Sequence, residues 1–134
     1  MQVTARFDGI LRAFNSPDII ASIFCDDPRN ACEDPGQERP IQYAFSQAGE
    51  VYTCPLFFTL QRFAPSLFEK DQISSMLHEF THLAAIYSPP TIDHTYLHKT
   101  IVTLNTSRAL QNADTYAFYA KAVCLASPAC VDHI

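Results

Sequence analysis

Met76-Leu77-His78-Glu79-Phe80-Thr81-His82 carries the pattern H-E-x-x-H. On an α-helix, residues four apart share one face and lie about 6 Å apart along the axis. His78 and His82 therefore offer two imidazole nitrogens to one metal ion. Glu79, one position along, flanks that ion without facing it, where a general base belongs when a metal-activated water is the nucleophile. Zinc is the expected ion, because imidazole suits it and hydrolytic zinc sites use three protein ligands and a water. The bland alternative for these letters is two surface histidines on an amphipathic helix.

The flanking residues favour the metal. Ile73, Leu77, Phe80, Ala84 and Tyr87 recur at helical spacing and form an apolar stripe, with His78 and His82 beside it. Asp71 is the expected N-cap, and Pro89-Pro90 is the expected stop. A third ligand must come from elsewhere. No glutamate follows Glu79, which excludes a site completed by Glu from a later helix. The positions three and six beyond His82 are Ala85 and Ser88, which excludes the class that has Gly and His there. What remains nearby is Thr91-Ile92-Asp93-His94-Thr95-Tyr96, beyond a Pro-Pro turn that brings the chain back over the helix end. Asp93 is a candidate donor there, and His94 and His98 are its rivals.

Three ordered segments, His78–His82, Pro90–Leu97 and Ala109–Ala120, together resemble the deuterolysin family. These fungal secreted zinc endopeptidases are called aspzincins, because an Asp is the third metal ligand, and they are related to peptidyl-Lys metalloendopeptidases. The family's second motif is G-T-x-x-D-x-x-Y-G or a close variant, and its later helix carries N-A-D-x-Y-A. Here the corresponding residues are Pro90-Thr91-Ile92-Asp93-His94-Thr95-Tyr96-Leu97 and Asn112-Ala113-Asp114-Thr115-Tyr116-Ala117. The similarity runs from about Ile19 to about Ala126.

The resemblance implies one Zn2+ held by His78, His82 and Asp93, with Glu79 as the proton-transferring residue. It implies Tyr96 as a donor to the tetrahedral oxyanion; the alternative is a phenol packed on the core. It places Asp114 by the pocket for the residue after the scissile bond, where an acid favours Lys or Arg; the alternative is a structural carboxylate. The family's Lys-selective branch has a second acid one turn on, and that position here is Ala117. The implied partners are protein or peptide substrates, with basic ones favoured. The implied fold is α+β and zincin-like, helix-rich with a small antiparallel sheet beside the metal-binding helix, in one domain over residues 1–134. Pro90 and Leu97 replace the family's glycines, so the loop is expected to sit differently around the metal and activity to be reduced. Family members carry more N-terminal helix, including a cysteine with no counterpart here, so the chain is expected to be an N-terminally shortened form.

The remaining sequence fits this outline. Val3, Phe7, Ile10, Leu11 and Phe14 predict a helix over 3–15, interrupted by Gly9. Residues 18–25, 41–45 and 51–54 read as strands, with turn chemistry between them in Asp26-Asp27-Pro28 and in Glu33 to Pro40. Leu56, Phe57, Phe58, Leu60, Phe63, Leu67 and Phe68 read as core under the metal helix. A long helix is predicted from about Thr106 to about Leu125, and His133 reads as a tail residue.

The five cysteines in a small apolar-rich domain point to an oxidising compartment. The alternative is five buried reduced thiols. By the resemblance Cys32 pairs with Cys54, and Cys25 has lost its N-terminal partner. The family also ties the segment before the metal helix to the C-terminus, where this chain has Leu67 and Phe68 and no cysteine. Cys124 and Cys130 can instead close a short loop across Pro128.

The net charge of −5, with pI near 5.4 and no basic run, argues against nucleic acid. No apolar stretch approaches a membrane span, and Met1 to Arg6 lacks the apolar core of a signal peptide. A secreted monomer is expected. Two other classes remain at this stage: a zinc-binding protein or effector of the same fold with weak or no peptidase activity, and a structural domain that binds no metal.

Overall fold

In the computed structural model, which describes residues 1–33 and 39–131, the stretch after Asp71 folds as helix α2, Gln72–Thr81. Asp71 caps it by accepting the Ser74 amide at Oδ1, at 2.7 Å. The helix ends at Thr81, well before Pro89, so Ala84 and Tyr87 of the expected stripe lie outside it. Tertiary partners take the groups that would have continued it. The Thr81 carbonyl accepts the Arg6 guanidinium at 3.0 Å and the Thr91 amide at 3.1 Å, and the Ala84 amide donates to Ser46 O. A helix end buried with its carbonyls satisfied in this way has no reason to extend.

Helix α1, Gln2–Asn15, lies against the end of α2 through Arg6, Gly9 and Ile10. Arg6 is buried, donates also to Pro89 O at 2.9 Å, and sits over the rings of Tyr87 and Tyr116. Gly9 does not interrupt the helix; it admits the Ile86 backbone. A Cβ at position 9 would lie 2.3 Å from Ile86 O. Gly9→Ala is therefore expected to cost about 1–3 kcal/mol despite alanine's better helix propensity. A urea-unfolding midpoint no lower than the parent's would contradict this.

Strands β1 (Ser22–Phe24), β2 (Gln42–Phe45) and β3 (Glu50–Thr53) form a sheet in the order β1-β3-β2. The fold is α+β, as expected, but the sheet is mixed. β2 and β3 are an antiparallel hairpin turning through Gly49 at φ +68°, whereas β1 runs parallel to β3 with Ile23 opposite Val51. Side-chain alternation marks a strand but not its direction, which here follows from the long connection carrying the chain to the far edge. Ile10, Val51, Phe80, Leu83 and Ile86 form the core between α1, the sheet and α2.

Residues 55–68 correct the expectation of core. They form a short 3-10 turn, Pro55–Thr59, and irregular chain in which Ala64 is buried, while Leu56, Phe58 and Phe68 are exposed. Apolar composition alone does not distinguish core from a lining that faces a cleft. The single long C-terminal helix is also corrected. It is two helices, α4 (Thr106–Gln111) and α5 (Ala113–Leu125), broken at Asn112, with short helices α3 (His98–Ile101) before them and α6 (Pro128–Val131) after. Disulfides close Cys32–Cys54 and Cys124–Cys130, and Cys25 is free and exposed. His133 and part of the turn-rich stretch after Glu33 lie outside the described residues.

Candidate metal centre

Helix α2 sets His78 and His82 one turn apart, with their Nε2 atoms 3.1 Å from each other. Asp93 arrives from the loop beyond the cis Ser88–Pro89 bond, its Oδ1 3.1 Å from His78 Nε2 and 3.3 Å from His82 Nε2. Among the described residues, these three are the group whose donor atoms converge as metal ligands would. His94 and His98, the rival donors, are not in that group. His98 lies edge-on against Phe68, ring centroids 4.9 Å apart.

The break at Asn112 explains why the Asp93 loop comes here. Ile92 pairs with the break, its amide on Gln111 O at 2.8 Å and its carbonyl on the Ala113 amide at 3.2 Å. Asn112 Oδ1 accepts the amides of His94 and Thr95 at 2.9 and 3.1 Å. The loop is thus threaded between the end of α2 and the gap in the C-terminal helix. Asn112→Ala would leave two inward amides unpaired. Unfolding free energy is expected to fall by about 2–4 kcal/mol, with weaker zinc binding. Unchanged denaturant midpoint and zinc affinity would remove Asn112 from this role.

The donor set fits a divalent cation. The far nitrogens of both imidazoles are engaged: His78 Nδ1 with Asp114 Oδ1 at 2.5 Å, and His82 Nδ1 with Thr91 O at 2.9 Å. A carbonyl can only accept, so His82 carries its proton on Nδ1, and the Asp114 carboxylate sets His78 the same way. Both Nε2 lone pairs then face each other and a carboxylate oxygen at hydrogen-bond distance, which only a cation or a proton between them relieves. Ligand bonds of about 2.0–2.1 Å in a tetrahedron imply edges of about 3.3 Å, and the three observed edges are 3.1, 3.1 and 3.3 Å.

The electrostatics agree. Burial acts to lower the His78 pKa, but the Asp114 and Asp93 carboxylates outweigh it and push the value up to about 10. His82 is likewise raised, with Asp93 overcoming burial. Asp93 is held well below the usual carboxylate range by the two imidazoles, against the effect of its burial. The site is built to hold positive charge.

Glu79 is buried beside the centre, Oε1 3.9 Å from His78 Nε2. Burial pushes its carboxyl up, more than the neighbouring imidazoles pull it down. Tyr96 stacks on His78 at 6.0 Å between ring centroids and is half exposed, so it is not a core phenol. Burial of its hydroxyl end and the charge of Asp93 push its pKa up. All of these residues line one cleft of about 1370 Å³. Leu97 has φ −94° and ψ 127°, ordinary extended backbone, so this loop does not need a glycine there.

Comparison with known proteins agrees with this architecture. The aspzincin family model, described as lysine-specific metallo-endopeptidase, matches residues 1–121. The chain belongs to this aspzincin family. The match includes α1, further toward the N-terminus than the motifs alone reach. Among curated aspzincin relatives, a neutral protease 2 homolog of Aspergillus fumigatus is 38% identical over 102 residues, covering 76% of this chain and 22% of that protein. One from Ajellomyces dermatitidis is 32% identical over 124 residues, covering 92% and 34%. The chain thus spans from about a fifth to about a third of the length of these relatives. A zinc peptidase from Grifola frondosa shares the fold, with TM-score 0.57 at 22% identity over 88% of this chain and 69% of that one.

Three supports of the aspzincin centre have no motif of their own in the H-E-x-x-H reading. Thr91, whose Oγ1 also meets Thr81 Oγ1 at 2.7 Å, lies two residues before Asp93 in the second segment. Asn112 had a local signal, since Asn inside a helical pattern is a poor helix former and a good cap. Lys121, buried and paired with Asp71 at 2.6 Å, ties α5 to the start of α2.

Proposed function

We propose that this chain is a zinc-dependent endopeptidase domain acting on peptide bonds in its cleft. The observation that carries this is the convergence of His78, His82 and Asp93, each imidazole tethered at its far nitrogen, with buried Glu79 at its side. Zinc, when bound by those three residues, supplies a Lewis acid that polarises a carbonyl and brings a water pKa to about 7.

The chain's own residues supply the proton traffic. Glu79, with its carboxyl raised by burial, takes a proton from water and returns it to the leaving amine. Tyr96, whose raised pKa keeps the phenol protonated, donates a hydrogen bond to the oxyanion that forms at the attacked carbonyl. Asp114 holds His78 with Nε2 toward the metal position. Asp114 also lines the cleft, and the expected preference for basic substrates rests on it. Two disulfides support an extracellular setting. A zinc-replete casein digest, with chelation by EDTA as control, tests the proposal; stoichiometric zinc with no cleavage would instead favour a zinc-binding protein that does not turn over.

The pKa shifts set a pH dependence. In the metal-free protein a raised His78 pKa means that its proton stabilises the fold fully below 6.5, and that this is lost as pH rises through about 10. Zinc must displace that proton, so apparent zinc affinity is expected to rise with pH across the neutral range, with protons released. Calorimetric titration at about pH 6 and about pH 8 in two buffers measures both; equal affinities and no proton release would contradict the assignment.

A further inference from the structure

Helices α2 and α5 meet through two polar contacts, set two turns apart on each helix. Near the end of α2, His78 Nδ1 meets Asp114 Oδ1 at 2.5 Å. At its start, Asp71 Oδ2 meets Lys121 Nζ at 2.6 Å. Both intervals are seven residues, from 71 to 78 and from 114 to 121. Seven residues make nearly two whole turns, about 10.5 Å, so the contacts on each helix share one face. The order reverses from one helix to the other, so α2 and α5 run antiparallel. Ala117, midway between the contacts on α5, is buried, and a methyl group there permits close approach.

The metal centre is assembled across this boundary. His78 lies on α2 and His82 caps its end, whereas Asp93 comes from a loop anchored at the head of α5. Ile92 pairs there with Gln111 O and the Ala113 amide, and Thr91 fastens the same loop to Thr81 O at the end of α2. All of these ties lie at one end of the helix pair, and one end alone acts as a pivot. The His–Asp edges of 3.1 and 3.3 Å then depend on how α2 is set against α5. A slip of one residue is about 1.5 Å, and a binding constellation must be held to within about 0.5 Å.

The far contact has the character of a register lock. Lys121 is 4% exposed and Asp71 0%. Asp71 does not need the ammonium to cap α2, because its carboxylate already accepts the Ser74 amide at Oδ1 and the Ala64 amide at Oδ2. Lys121 also donates to Glu69 O at 2.6 Å, so it holds the segment that leads into α2. Taking two charges out of water is costly, and a buried ion pair adds little net stability; fixing register is its best-attested use.

We infer that the buried Lys121–Asp71 pair is a positioning device for the metal centre, setting α2 against α5 so that His78 and His82 meet Asp93 at the spacing one cation requires. The inference rests on the metal-centre reading. Neither residue is among the three converging donors, so both act through the helices.

Cobalt(II) is the probe, since it replaces zinc and its visible absorption depends on ligand geometry. Wild type, Lys121→Met and the double variant Asp71→Asn/Lys121→Met are titrated with it, and the metal-free proteins are unfolded in urea. Met keeps most of the lysine stem and Asn keeps a helix cap. The double variant thus exchanges a charged pair for a neutral one, and its metal-free form is expected to unfold near the wild-type midpoint. Both variants are expected to bind cobalt at least about tenfold more weakly, with a shifted or weaker visible band. Weaker binding with an unaltered band also supports the inference, as a site that takes its shape only when the ion draws the helices together.

A lower unfolding midpoint with wild-type cobalt affinity and band makes the pair purely structural and overturns the inference. So does a loss of affinity confined to Lys121→Met, which traces the damage to an unpaired buried carboxylate. Either result leaves the metal-centre reading standing. A wild-type protein that takes up no cobalt sinks that reading, and this inference with it.

Discussion

Glu79→Ala is expected to keep one equivalent of zinc and to lose about 10²–10⁴-fold in peptide hydrolysis. Glu79 is not one of the three converging donors, so its removal leaves the edges between His78, His82 and Asp93 in place. It does remove the one buried carboxylate beside the centre whose pKa is raised rather than lowered. A base must be free to take a proton, and Asp93 is held by both imidazoles. Asp114 is held by His78. The measurement pairs metal content after dialysis with the initial rate on casein. Wild-type turnover by the variant would refute the role of Glu79, and loss of zinc would recast it as a ligand.

Asp93→Ala is expected to abolish tight zinc binding and, with it, cleavage. The change removes the only anionic donor of the three and leaves two imidazole nitrogens 3.1 Å apart with no carboxylate to balance a divalent charge. The residue is exposed on a loop, so the fold should tolerate the substitution better than it would His78→Ala in buried α2. A ligand that binds only the folded state stabilises it by RT ln(1 + [L]/Kd), about 2.7 kcal/mol when free zinc is a hundred times Kd. The wild-type melting temperature should therefore rise with added zinc and that of Asp93→Ala should not. A zinc-dependent rise of equal size in the variant would show that the third ligand lies elsewhere, and His94 and His98 would be the next to test.

Much of this centre was legible before any coordinates. Four-residue spacing fixes two histidines on one helical face whatever surrounds them, and the aspzincin motifs pointed to Asp93, Tyr96 and Asp114 by position. Other readings went astray where a local rule met a tertiary partner. The α2 stripe projected past Thr81 because periodicity does not register that Arg6 and Thr91 take the Thr81 carbonyl. The 106–125 pattern read as one helix because apolar spacing runs through Asn112, whose side chain is needed by the Asp93 loop instead. Phe58 and Phe68 were read inward because hydrophobicity gives a tendency to burial and no address.

The amino-acid order alone determined which side chains can meet within one turn of helix and which chemistry they share, because those relations span a few residues and follow from backbone geometry. Only the tertiary structure decided that Asp93 reaches the histidine pair, that Asp114 holds His78 from the cleft wall, and that β1 runs parallel to β3. Those outcomes depend on contacts between distant segments, where burial, charge and the need to satisfy each inward amide are settled together and no short window of sequence contains all the partners.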